Sequence, residues 1–174
     1  MARYGTVPPE NLVFRALDTV GDGSGDVQAI GDYSDTGDGL TNFKITAQPG
    51  ERLTIERMLI GYEDTAGMAA RDYGNIGDGL TNGIKVIVTN PDDDIVLDLT
   101  NARPVKTNGE WSAHCYDATL NTWSSGNELF AVRWTFAKTG EPLFLDTGYS
   151  LVVRHNDDLS GLISNTYICH GVRK

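Results

Sequence analysis

From Phe43 onward, apolar and polar residues alternate along the chain, and helical spacing is rare. A period of two places every second side chain on one face, which is typical of half-buried β-strands. Turn-forming residues such as Pro49-Gly50 separate the alternating segments. The pattern predicts strands that begin near Phe43, Leu53, Ile84, Ile95, Phe130, Tyr149 and Leu162, a less regular one over 111–116 and a short one over 12–17.

The clearest alternation lies between residues 130 and 136. Phe130, Val132, Trp134 and Phe136 share one face of this segment, with small and polar residues on the other. Large aromatic side chains in one row dominate the burial of a sheet face. We therefore expect this row to lie in the hydrophobic core.

The number of strands defines the fold class. About eight strands separated by Gly, Asn, Asp and Pro turns predict an all-β protein, an antiparallel two-sheet sandwich of jelly-roll type. An immunoglobulin-like sandwich is the alternative. The sandwich domain is expected over residues 42–174. Residues 1–41 are rich in Asp and Gly and predict an extended N-terminal arm that reaches a neighbouring subunit, or else a loop folded back on its own domain.

An internal repeat precedes two of the predicted strands. Residues 32–42 (DYSDTGDGLTN) recur at 72–82 as DYGNIGDGLTN. In a jelly roll the first and third strands flank the last strand of one sheet, so both Gly-Asp-Gly loops should emerge at the same end of the sandwich. Asp38 and Asp78 are candidate calcium ligands there. Neither copy fits the EF-hand pattern, and a pair of similar turns that form one contact surface is the simpler interpretation.

The net charge of −10 bears on the choice of partners. Phosphate backbones and anionic membranes attract Lys and Arg, so neither nucleic acid nor a membrane is an expected partner. The chain has no apolar run near the ~20 residues of a membrane-spanning helix, and its first residues lack the apolar stretch of a secretory signal. We expect a protein that is intracellular or assembled inside a cell.

No set of residues predicts catalysis or a bound cofactor. The three histidines, His114, His155 and His170, stand in no known catalytic motif, and residues 155–158 are typical of a solvated turn. The pairs His114-Cys115 and Cys169-His170 suggest zinc, but neighbouring side chains on a strand face apart. Two buried thiols are therefore expected. No catalytic residue, cofactor or metal is predicted apart from the calcium candidates, and an enzyme is not expected.

Four segments carry a resemblance to a known family. They are NARPVKTNGEW at 101–111, CYDATLNTW at 115–123, AVRWTF at 131–136 and RHNDDLSGL at 154–162. From about Phe43 to its end, the chain resembles the jelly-roll decoration proteins of tailed bacteriophage heads, also called cement or head-stabilising proteins. The Asp-Gly-rich first forty residues have no counterpart in that family.

The resemblance implies a virion structural protein. Such proteins form homo-oligomers, often trimers, assembled in the bacterial host cytoplasm, which sit on the outer surface of the capsid and bridge major capsid subunits. The acidic charge suits that outward position, because a surface that faces DNA would be basic.

Two other functions stay open. A carbohydrate- or receptor-binding sandwich of a phage tail or fibre, with or without a requirement for calcium, would expose aromatic platforms such as Trp111, Trp123 or Tyr149. A jelly-roll metalloenzyme would need a His-x-His and acidic ligand cluster, which the chain lacks.

Overall fold

A computed structural model describes residues 11–18, 28–30, 33–35, 41–64, 72–115, 117–122, 128–136, 141–159 and 161–174. In these ranges the regular secondary structure is β-strand, apart from the short 3₁₀ helix Asn108–Ala113. The strands are β1 (Asn11–Asp18), β2 (Gln28–Ile30), β3 (Tyr33–Asp35), β4 (Thr41–Thr46), β5 (Leu53–Asp64), β6 (Ile84–Thr89), β7 (Ile95–Asp98), β8 (Asp117–Thr122), β9 (Glu128–Thr135), β10 (Leu143–Leu145), β11 (Ser150–His155) and β12 (Ser164–Arg173).

The strands form two antiparallel sheets, which confirms the all-β, two-sheet prediction. The larger sheet has the order β2-β1-β12-β5-β9-β8, and β10 also pairs with β5. The smaller sheet has the order β3-β4-β11-β6-β7. Consecutive strands β4 and β5 belong to different sheets, so the Pro49-Gly50 turn between them is a corner that crosses the sandwich. Gly50 has a φ of 82° there, which a residue without a Cβ adopts freely.

The two strands that follow the repeats run parallel on either side of β11. Asn42 of β4 pairs with Arg154, and Ile84 of β6 pairs with His155. Both strands therefore begin at the same end of the smaller sheet, as the sequence predicted. The strand between them is β11, where the sequence argument expected the last strand of the chain; β12 instead lies at the centre of the larger sheet.

The core lies between the two sheets. Phe130, Val132, Trp134 and Phe136 are at most 8% exposed, so the predicted aromatic row is confirmed. Across the core, Phe43 of β4 in the smaller sheet stacks on Tyr167 of β12 in the larger sheet, with ring centroids 5.1 Å apart. Rings at this separation contribute dispersion and quadrupole attraction beyond the area that they bury.

Two segments differ from the prediction. The strand expected over 111–116 is replaced by the 3₁₀ helix Asn108–Ala113, in which Glu110 accepts hydrogen bonds from the backbone N–H groups of Lys106 and Thr107. This carboxylate satisfies donors at the start of the helix and favours helical turns over an extended chain.

The segment assigned to an N-terminal arm contains β1, β2 and β3. β1 pairs with β12 over eight residues, and β3 pairs with β4. These pairings agree with the alternative prediction, in which the N-terminal segment folds back on its own domain. The rest of the assigned arm lies outside the described residues. Within the described part of the chain, no helix has the length and apolar character needed to cross a membrane.

Candidate functional site

Three of the large exposed apolar side chains in the described structure are consecutive on β7, at one edge of the smaller sheet. Ile95, Val96 and Leu97 are 46%, 51% and 44% exposed. On a half-buried strand only alternate side chains face solvent. Three consecutive exposed apolar residues therefore mark a strand that, within the described structure, is open to solvent on both faces, although its sequence pattern resembles that of the buried strands.

Hydrogen-bonded turns lie at both ends of β7. Before the strand, the Asn90 side chain accepts hydrogen bonds from the N–H groups of Asp92 and Asp94. In the same turn, the ammonium of Lys44 lies 2.8 Å from the carboxylate of Asp93 and lowers the pKa of that acid. An anchored, apolar edge strand is a preformed template for another strand, since no described strand pairs with its outer N–H and C=O groups.

After the strand, Asp98 stabilises the turn that follows. Its carboxylate accepts hydrogen bonds from the backbone N–H and the hydroxyl of Thr100, at 2.9 and 2.5 Å, and from the N–H of Ala102 at 3.2 Å. Partial burial acts to raise the pKa of Asp98, but these bonds and the nearby Lys85 outweigh it, so the pKa lies below its ordinary value. The ionised carboxylate is therefore a structural part of the turn.

The second copy of the repeat is held by Asp157, which the sequence analysis placed in a solvated turn. The carboxylate of Asp157 accepts hydrogen bonds from the backbone N–H groups of Thr81, Asn82 and Gly83, at 2.6 to 3.1 Å. A carboxylate that accepts several backbone hydrogen bonds is held firmly in position. The end of this loop is therefore fixed by an internal anion, which points to a structural role.

The calcium candidates are not brought together in the described structure. Asp78 is exposed, and Asp38 lies outside the described residues. Within the described ranges, no group of three or more His, Cys, Asp and Glu side chains could hold a metal ion. A calcium site that uses both loops stays a prediction.

His155 was also expected in a solvated turn, and this expectation is wrong. Only 1% of the residue is exposed, and its Nε2 lies 3.1 Å from the hydroxyl of Tyr62 and 2.8 Å from that of Tyr167. His155 shares a face with Leu151 and Val153, because β11 continues to residue 155. That two-residue spacing was the signal in the sequence, and the Asn-Asp-Asp run that follows concealed it.

The two cysteines are buried and free, as predicted. Burial raises the pKa of the Cys169 thiol, which keeps it protonated and unreactive. The Cys115 thiol donates to the carbonyl of Trp111 at 3.1 Å. Neither thiol lies at a surface where it could act as a nucleophile.

The aromatic residues predicted as platforms of a carbohydrate site differ in their exposure. Trp111 is fully buried, and its indole N–H donates to the hydroxyl of Tyr73 at 3.3 Å, so it cannot stack on a sugar. Burial raises the pKa of Tyr73. Tyr149 is 36% exposed, and Trp123 lies outside the described residues.

Comparisons of the chain with protein-family models, with curated protein sequences and with solved structures find no match. Its function must be inferred from the arrangement of its own residues.

Proposed function

We propose that the chain is a non-enzymatic structural protein of a phage virion, a capsid decoration or cement protein. In this proposal it sits as a homotrimer on the outer surface of the head and stabilises the shell by bridging major capsid subunits. The protein is made and assembled in the cytoplasm of the bacterial host. The observation that carries the proposal is β7, an edge strand with three consecutive exposed apolar residues.

The geometry of β7 suits permanent assembly. Soluble proteins protect their sheet edges with charges, prolines or covering loops, because an open apolar edge pairs with other chains. A partner strand that pairs with β7 would extend the smaller sheet and cover Ile95, Val96 and Leu97. Apolar interfaces of this kind are typical of obligate complexes.

The charges around β7 favour a different protein over a second copy as its partner. An antiparallel pair of β7 strands that matched all three apolar residues would centre on Val96. It would place Asp94 of one copy opposite Asp98 of the other, and like charges directly opposite each other are destabilising. A capsid segment with Lys or Arg at the ends of its strand fits this edge better. In this proposal, the subunits of the homotrimer contact one another through surfaces other than β7.

The finer fold assignment belongs to the same proposal. β4 pairs with β11 in one sheet while β5 pairs with β9 in the other, and β6 and β8 then lie beside β11 and β9. In a jelly roll, two consecutive early strands lie in different sheets and each pairs there with a late strand. The pairings of β4 and β5 therefore support a jelly roll, the fold of the decoration proteins that the sequence resembles.

Co-sedimentation with heads of the phage that encodes the chain tests the proposal. Wild-type protein should be a trimer by light scattering and should bind intact heads at saturable stoichiometry. Val96→Lys should weaken binding by at least about tenfold, because it places a charge within the apolar strand. Phe144→Lys is the matched control, since Phe144 is 50% exposed on another strand, β10.

Two results would count against the proposal. Wild-type protein that stays in the supernatant with intact heads would remove the capsid as its partner. Equal loss of binding in Val96→Lys and Phe144→Lys would show that capsid binding does not depend specifically on β7.

A further inference from the structure

A groove with a volume of about 390 Å³ opens on the outer face of the larger sheet, away from the core and from β7. Its lining includes Arg57, Leu59, Arg133, Thr135 and His170, which we call the arginine groove. This volume lies within the range of small-molecule sites in proteins, roughly 300 to 1,000 Å³. Two arginines and a histidine in one groove are unusual on a chain with a net charge of −10.

A β-bulge directs Arg57 into the groove. The pairing of β5 with β12 shifts between His170 and Gly171, so that Glu56 is an extra residue on β5. Glu56 and Arg57 are consecutive and both exposed, whereas Ile55 and Met58 on either side are buried. Bulges of this kind redirect a side chain and are common beside functional sites.

Gly171 makes the bulge possible. A Cβ at this position would overlap the carbonyl oxygen of Thr54 on β5. Only glycine permits the two backbones to approach this closely.

The strand register gathers the groove's polar side chains. Arg57 lies directly opposite His170 on one side and Thr135 on the other. Leu59, two residues along the same face, lies opposite Arg133. Arg57 and Arg133 are therefore diagonal neighbours on adjacent strands, a relationship that spaces Cβ atoms by about 7–8 Å. Their guanidinium groups can reach a common ligand at this spacing.

Among the described residues, neither arginine of the groove has an ion-pair partner. The cations in ion pairs between described residues are Lys44, Arg52, Lys85 and Arg173. Arg57 and Arg133 form no ion pair with any described residue, and Glu56 does not bridge to Arg57. Neighbouring like charges on one sheet face are unfavourable unless an anion offsets them. In the strand register Arg57 lies opposite no acidic residue, whereas Arg133 lies opposite Asp117 of β8.

We propose that the arginine groove binds a small ligand through a phosphate group. Guanidinium groups match phosphate oxygens with paired N–H donors, and the two positive charges balance a phosphate dianion. The hydroxyl of Thr135 supplies a further donor beside Arg57. Leu59 offers an apolar surface for the part of the ligand that carries the phosphate. This site is independent of β7 and of capsid binding.

Calorimetric titration of the full chain with inorganic phosphate tests the site, with sodium chloride at matched ionic strength as the blank. Binding should be saturable with one site per chain. Arg57→Gln and Arg133→Gln should each weaken it by about tenfold or more, because each removes a charge-assisted bond. Arg103→Gln removes an exposed arginine outside the groove and should leave binding unchanged.

Two further measurements separate the specific site from general attraction of anions. Arg133→Lys keeps the charge but loses the fork of donors, and should weaken binding several-fold. Acetate should bind more weakly than phosphate. Non-saturable heat with phosphate, equal loss in Arg103→Gln, or acetate binding as tight as phosphate would each overturn the proposal. Circular dichroism of each variant checks that the sheet is intact.

Discussion

The carboxylate of Asp157 accepts a 2.6 Å hydrogen bond from the backbone N–H of Gly83, across 74 positions of the chain. Together with its bonds to Thr81 and Asn82, this contact connects the loop after β11 to the loop that opens β6. The second Gly-Asp-Gly loop is thus anchored by a residue that belongs to no repeat.

Replacement of Asp157 by alanine should destabilise this end of the sandwich. Asp157→Ala leaves three backbone donors without their acceptor, and we expect a loss of about 2 kcal/mol in the free energy of unfolding. Urea denaturation followed by fluorescence measures it. Asp78→Ala, at an exposed acid of the same loop, is the control and should change stability by less than about 0.5 kcal/mol. Equal effects of the two variants would contradict the anchoring role.

The buried group of His155, Tyr62 and Tyr167 should behave as one unit. His155→Phe removes both hydrogen bonds to the tyrosine hydroxyls, and we expect a loss of about 2 kcal/mol. His170→Phe, at a half-buried histidine on the outer face, should cost much less.

A double-mutant cycle tests the coupling within this group. Since Tyr167→Phe removes a bond that His155→Phe has already lost, the combined variant should be less destabilised than the sum of the single variants. Additive losses would show that the hydroxyl of Tyr167 and the imidazole contribute separately.

Asp98 predicts a specific dependence of stability on pH. Its pKa is lowered in the folded chain, so the carboxylate stabilises the fold above its unfolded pKa of about 3.9, and this contribution is lost as the pH falls through the lower, folded pKa. Asp98→Asn should cost about 1 kcal/mol at pH 7. The difference from wild type should shrink below about pH 4. Urea denaturation between pH 7 and pH 2 measures it, and a difference that does not change with pH would contradict this origin.

The turn after Asp98 holds Ala102 at a φ of 57°, a left-handed conformation that is strained for alanine. Ala102→Gly should relieve this strain and raise the free energy of unfolding by about 0.5–1 kcal/mol, even after the greater entropy of unfolded glycine. Ala131→Gly, in the extended and buried strand β9, should have the opposite sign. Thermal unfolding of both variants tests the comparison, and a destabilised Ala102→Gly would refute the strain.

The sequence was sufficient to predict those strands whose two faces differ strongly in hydrophobicity. The row from Phe130 to Phe136 was predictable because large aromatic residues alternate with small or polar ones, and any sheet that forms must bury them. The shared end of β4 and β6 was also predictable, although the argument placed the wrong strand between them.

Features that depend on the sheet edges and on distant loops were not predictable. Ile95 and Leu97 have the same spacing as buried residues, and only the order of the described strands shows β7 at an edge of its sheet. Asp157 looked like a solvated turn residue, because its partners lie more than 70 positions away. The arginine groove depends on a bulge, and local alternation gives no sign of which two strands will be adjacent.

The central positions of β11 and β12 have a consequence for biosynthesis. β11 joins β4 to β6, and β12 joins β1 to β5, so each sheet is completed by residues after position 149. A nascent chain that lacks them holds unpaired strands from both halves of the sandwich, and long-range pairing of this kind folds slowly. The joining of β4 to β6 and of β1 to β5 must therefore wait until this last segment has left the ribosome, and the unpaired strand edges are prone to aggregation until then.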